Sequence, residues 1–275
     1  MNRIFLSTLL LSAGFLSLTL SSCKKETPDT ETQASVDNAV CEGEFNSRIQ
    51  VINSIAINQP GVKDNRTSGP IVTVDPADTL NGFPITMNID YGTLGIEDSI
   101  DHKVRKGKMI VRFDASWHTL GAIAVVKLVD YYVAKSTGAN FVMYSADSII
   151  LTHMTAGSFT QNVIGGKCIS SDFNLEWSSD RTVTQTEGIL TTSNPYDDVF
   201  SAAGSSKGKD RNGKSYSVNI TSPIVKRASC SWIEKGTLDL TPEGLPVRTV
   251  NYGDGACDSK ASITIDGNTF TFNMN

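Results

Sequence analysis

The sequence predicts an all-β protein, an antiparallel meander closing into a sandwich or an incompletely closed barrel, with one N-terminal helix packed on it. Three observations carry that expectation. From about residue 80 onward apolar residues alternate with polar ones at the two-residue period of a half-buried strand. Gly-containing turn signals punctuate the alternation, and no strand-then-helix series of the kind that builds a doubly wound nucleotide fold is present.

The N-terminus precedes the fold. Met1-Asn2-Arg3 supplies one positive charge, and Ile4 to Leu20 is then apolar or small, before Lys24-Lys25-Glu26-Thr27-Pro28 turns polar. This is the layout of a secretory signal peptide over residues 1–22, since the run is short for a bilayer span and has no stop-transfer flank. Leu20-Ser21-Ser22-Cys23 resembles the bacterial lipobox, so Cys23 is expected to be acylated, with a palmitate-type chain among its lipids, and to become the first mature residue. Each buried methylene contributes about 0.8 kcal/mol and one myristoyl chain binds only marginally, so two or three chains fix the protein to a membrane. Residues 23–35 are polar and charged, which predicts a flexible lipidated tether. The expected address is the cell envelope, on the outer membrane, facing either periplasm or surface, because Lys24 and Lys25 stand where an inner-membrane retention aspartate is common.

A single β-rich domain is expected over 36–275. Its helix covers about 36–56, where Cys41, Phe45, Ile49, Ile52 and Ala56 recur at helical spacing and mark one face to pack on the sheet. Asn58-Gln59-Pro60-Gly61 ends it. The strands follow: Ile85, Met87, Ile89 and Tyr91; then Ile169, Phe173, Leu175 and Trp177; then Tyr216, Val218 and Ile220; and last Phe270, Phe272 and Met274. Asn212-Gly213, Glu243-Gly244 and Asp266-Gly267 separate strands, because these residues tolerate positive φ. A weak repeat relates Tyr91-Gly92 to Tyr252-Gly253, each followed by another strand.

Several segments resemble those of uncharacterised lipoproteins of the Bacteroidota. They are Tyr91-Gly92, Arg105-Lys106-Gly107-Lys108, Trp177-Ser178-Ser179-Asp180-Arg181-Thr182, Asp210-Arg211-Asn212-Gly213-Lys214, and the tail running from Lys226 through Cys230-Ser231-Trp232 and Thr241-Pro242-Glu243-Gly244 to Tyr252-Gly253-Asp254-Gly255-Ala256-Cys257-Asp258. The resemblance implies a lineage and an all-β body, and no activity. Leu94-Gly95 departs from it, standing where that group typically carries Gly-Cys.

With Cys23 given to lipid, four cysteines remain in an exported chain, where disulfides persist. A two-residue turn at Glu243-Gly244 would set Cys230 opposite Cys257, and closing that loop would contribute roughly 3–4 kcal/mol. Gly236, Gly253 and Gly255 are able to shift that register with a bulge. Cys41 and Cys168, expected on the helix and at a strand start, either pair by elimination or stay as two buried thiols.

Sites for chemistry are sparse. His102, His118 and His153 form no metal-binding spacing, and no Cys-x-x-Cys exists, so neither a metal nor another cofactor is expected. Gly204 to Asp210 looks like a phosphate loop but lacks the hydroxyl that holds magnesium, and reads as a solvated loop. Acidic turns at Asp197-Asp198, Asp210, Asp254 and Asp258 complete no calcium loop. Trp177, Trp232 and Tyr131-Tyr132 fit either a sugar-stacking platform or core packing.

Loss of residues 1–22 removes only Arg3, so the formal charge moves from −5 to −6, which argues against nucleic acid as a partner. The expected partner is the membrane, through the N-terminal lipid, with the ligand open. The sequence therefore predicts an anchored protein with a non-catalytic binding or structural role. Its alternatives are a periplasmic carrier of lipid or another apolar molecule, and an envelope hydrolase.

Overall fold

The computed structural model describes residues 29–56, 69–75, 82–117, 119–155, 157–191 and 194–274. The signal peptide, Cys23, most of the tether, Asn58-Gln59-Pro60-Gly61 and His118 lie outside these residues.

One α-helix, a single 3-10 turn at Pro195–Asp197 and one antiparallel sheet of fifteen strands make up the regular structure of the described residues. The helix, α1, spans Gln33–Ala56. The first strands are β1 (Ile71–Asp75), β2 (Ile85–Asp90), β3 (Ile96–Glu97), β4 (Val104–Phe113) and β5 (Ile123–Ala134). Next come β6 (Val142–Ser145), β7 (Ser148–Thr155), β8 (Ser158–Ile169), β9 (Asn174–Glu187) and β10 (Val199–Lys209). The last are β11 (Ser215–Arg227), β12 (Lys235–Pro242), β13 (Arg248–Asp254), β14 (Lys260–Ile265) and β15 (Asn268–Asn273).

Neighbours in sequence are neighbours in the sheet almost throughout, so short turns set the topology. Between β5 and β8 two short strands share one position, with β6 and β7 each pairing both flanking strands. The all-β class is as the alternation predicts, and Ile85, Met87, Ile89 and Tyr91 are all buried. A sheet this long cannot stay flat, because strand twist accumulates. Here it curves round α1, which meets side chains from β4, β5, β6, β8, β9 and β10. Bulges help the curvature: at Gly107, φ is +86° and a Cβ would fall 1.9 Å from the Asp130 carbonyl oxygen, so no other residue fits.

Four details differ from the sequence reading. The helix begins at Gln33 because Glu31 accepts the Gln33 and Ala34 N–H groups and so caps it, drawing the last tether residues into the fold. Ile169 and Leu175 belong to different strands, separated by a turn at Ser170–Phe173, and Cys168 ends β8 instead of starting a strand. Gly204 to Lys209 forms part of β10, with a bulge beside Gly204, since both neighbouring strands supply backbone partners that a solvated loop would lack. Leu240 pairs with Arg248, so the turn containing Glu243-Gly244 is longer than two residues and the register is shifted.

Candidate functional site

The helix was expected to offer one apolar face to the sheet. Its apolar face is indeed buried, with Cys41, Phe45 and Ile52 fully enclosed, and Phe45 stacked on Trp177 with ring centroids 5.2 Å apart. Its polar face is buried as well, however, for Asp37, Asn38, Glu42, Glu44, Ser47 and Arg48 are all closed off from solvent. Enclosure by a curved sheet leaves α1 no wet side. Every charge it carries therefore needs a partner projecting from the wall.

The wall supplies them. Arg181 of β9 donates to Glu42 through Nε at 3.0 Å and Nη2 at 2.8 Å. Arg211, in the β10–β11 turn, grips Asp37 through Nε and Nη2 at 3.0 and 2.6 Å and adds its backbone N–H at 2.9 Å. Trp177 Nε1 donates to Asn38, Tyr144 Oη to the Val40 carbonyl, and Gln161 Nε2 to the Phe45 carbonyl. Before the helix, Arg248 reaches Asp29 at 2.6 Å.

Around Glu44 the charges condense into a network. Arg48 lies 3.0 Å away, Lys103 3.2 Å and Arg105 3.4 Å, and the Tyr131 hydroxyl donates at 3.4 Å. Arg105 also holds Asp101 in a two-pronged pair at 2.7 and 2.6 Å. Burial works against the Glu44 carboxylate, but the three cations outweigh it and bring its pKa down to about 2. Lys226 approaches the same group of charges and donates to the carbonyls of Cys230 and Arg227. Burial first, then repulsion from Lys103, lowers its pKa to about 8.

Beside this network opens a cavity of about 460 Å³. Ala39, Val40 and Gly43 of α1 form one wall, with Glu44 and Lys103 at the floor. Val133, Val142, Tyr144, Ile233 and Met274 make the opposite side apolar, and Phe173 and Trp232 stand among its aromatic lining. A shallower groove of about 800 Å³ lies at the ends of β9, β10 and β12, bordered by the exposed Lys209–Glu176 pair. Of these two, the smaller cavity is the better candidate, because its apolar walls adjoin the buried Glu44 and Lys103.

The sequence-derived residues fall as follows. Cys230 and Cys257 are joined by a disulfide with a Cα separation of 5.8 Å, linking the loops beyond the β12–β13 hairpin. The reason differs from the expected direct opposition, since Lys235 pairs with Asp254 and the register slips at Gly236. Cys41 and Cys168 lie within hydrogen-bonding reach of each other as buried thiols, unbridged. Burial, with Cys168 beside it, pushes the Cys41 thiol up. Glu234 lies with the sulfurs of Cys230 and Cys257 within 4.8 Å, but those sulfurs are spent on each other. His102 sits at the surface beside Glu97, and His153 packs against Trp117 and Phe159, so neither lines the cavity. Trp177 and Tyr131 are core residues, leaving Trp232 as the cavity's tryptophan. Asp210 accepts the Asn212 and Lys214 N–H groups of its own turn, which is hairpin chemistry.

Comparison with family models, with curated proteins and with solved structures finds no match. No helix among the described residues is long and apolar enough to cross a membrane.

Proposed function

We propose that this chain is a lipid-anchored binding protein of the cell envelope, similar in kind to the uncharacterised lipoproteins of the Bacteroidota, which holds a small amphipathic molecule in the cavity beside α1. The anchor rests on the signal-peptide layout and the Ser-Ser-Cys motif ending at Cys23. The observation that carries the binding role is the cavity itself, with its apolar side walls and its buried Glu44 and Lys103 floor. Ser170 and Ser231 are its serines, and both are engaged locally: the first accepts the Asp172 N–H and the second donates to the Asp101 carbonyl. With no described histidine beside them, binding is favoured over hydrolysis. A lipid carrier would need a continuous apolar lumen, whereas α1 and its ion pairs fill this one.

Two experiments test the proposal. Labelled palmitate should enter the wild-type protein and not the Cys23→Ala variant; equal labelling of both would remove the anchor. Protease treatment of intact cells then separates a surface from a periplasmic position. For the binding role, thermal melting of the Cys23→Ala chain with a panel of small amphiphiles should show saturable stabilisation that Gly43→Leu abolishes by filling the cavity. Stabilisation that survives Gly43→Leu would place the site elsewhere.

A further inference from the structure

The charge balance of the cavity floor says more about what binds there, an inference that rests on the binding role just proposed. Among the described residues the network beside the cavity contains four cations, Arg48, Lys103, Arg105 and Lys226, against three carboxylates, Glu44, Asp98 and Asp101. All seven are buried. Glu234, the other buried acid near Lys226 in sequence, is taken up by Arg227. Among the described residues these seven groups leave one positive charge in excess, in a low-dielectric site where an unbalanced ion costs several kcal/mol.

The surplus has a route to the cavity. Lys103 lines it, carries three N–H donors, and spends one on Glu44. Glu44 already accepts from Arg48, Lys103, Arg105 and Tyr131 and has little left to offer a ligand. A cationic ligand would meet Lys103 with repulsion. A neutral one would leave the excess charge in place. An anion would complete the network, while the apolar remainder of the same molecule would pack against Val133, Val142, Trp232 and Met274.

We propose that the cavity is specific for an amphiphile with a single anionic head, held by Lys103, and an apolar body lying against the wall opposite α1. A fatty carboxylate and an alkyl phosphate or sulfate share this chemistry, and the test separates them.

The experiment is isothermal titration of the full-length Cys23→Ala chain with decanoate, decyl sulfate, decanol and decylammonium, each below its micelle concentration. One charge-assisted hydrogen bond predicts that the anionic probes bind about ten- to a hundredfold tighter than decanol, and decylammonium weakest. The ratio of decanoate to decyl sulfate identifies the preferred head. Lys103→Met should bring decanoate to the affinity of decanol without abolishing the binding of either. Should that variant misfold, the charge series on the parent chain still decides the matter. Decanol binding as tightly as decanoate would overturn the anionic specificity and leave the binding role standing. Failure of all four probes to bind would overturn both.

Discussion

Arg181 closes on Glu42 with two hydrogen bonds of 3.0 and 2.8 Å, and neither side chain is exposed to water at all. The two residues lie 139 positions apart, so this contact fixes both the rotation of α1 and its depth inside the sheet. Removing one partner strands a buried charge. Arg181→Met should therefore cost about 3–5 kcal/mol in urea unfolding, and pairing it with Glu42→Leu should recover a large part of that loss. A single-variant cost below about 1 kcal/mol would mean that water reaches the pair.

The contrast between this pair and the strands shows what the sequence makes legible. Alternation finds Met87, Ile89, Trp177 and Val218 in the core, because period two is a property of the strand alone. A stripe at helical spacing finds α1. It does not reveal that Asp37, Glu42 and Glu44 are buried too, since a carboxylate in solvent and one facing an arginine across the lumen are written with the same letter. The available signal was on the wall: Arg181 falls on the inward phase of β9, between Trp177 and Val183. The cavity was illegible for a related reason, as its lining comes from α1, β5, β6, four separate loops and the C-terminal end. The cysteine pairing was legible, but the register behind it was not, because Gly236 permits a bulge that no pattern announces.

Acid should release the helix. The Glu44 carboxyl has a pKa lowered from 4.5 to about 2, so the unfolded chain takes up a proton first as pH falls. The stability this group contributes is complete above its unfolded value and is lost as pH drops from about 5 toward 2, amounting to about 3 kcal/mol. Burial opposes the Asp101 carboxylate as well, but Arg105 outweighs it and shifts the group the same way, so it adds to the loss. Glu44→Gln should be less stable at neutral pH and show a shallower acid slope. An unchanged slope would mean that other carboxylates govern acid unfolding.

Alkali should act in the opposite direction through Lys226. Its pKa is lowered from 10.5 to about 8, so between those values the unfolded chain holds the proton that the folded one has released, and folding gains as pH rises. The gain from pH 8 to 10 is about 2 kcal/mol. Cys41, whose thiol is raised above its ordinary 9.0, opposes it, so the quantity to read is the difference in slope between wild type and Lys226→Met. Equal slopes would show that Lys226 reaches solvent.

Gly43 lies in the middle of a buried helix, a position where glycine costs about 1 kcal/mol relative to alanine. Close packing would explain the choice, yet a Cβ built on Gly43 meets nothing within 4 Å. Gly43 borders open space on two sides, the cavity that it walls with Ala39 and Val40 and a much smaller one near Phe200 and Ile224. The glycine thus keeps that space open at the expense of helix stability, an exchange expected where a site needs volume. Gly43→Ala should raise the unfolding free energy by about 0.5–1 kcal/mol in chemical denaturation. It should also weaken the binding of any amphiphile, because the added methyl group takes volume from the cavity. Loss of stability in place of a gain would mean that the space beside residue 43 is filled when the protein is in solution.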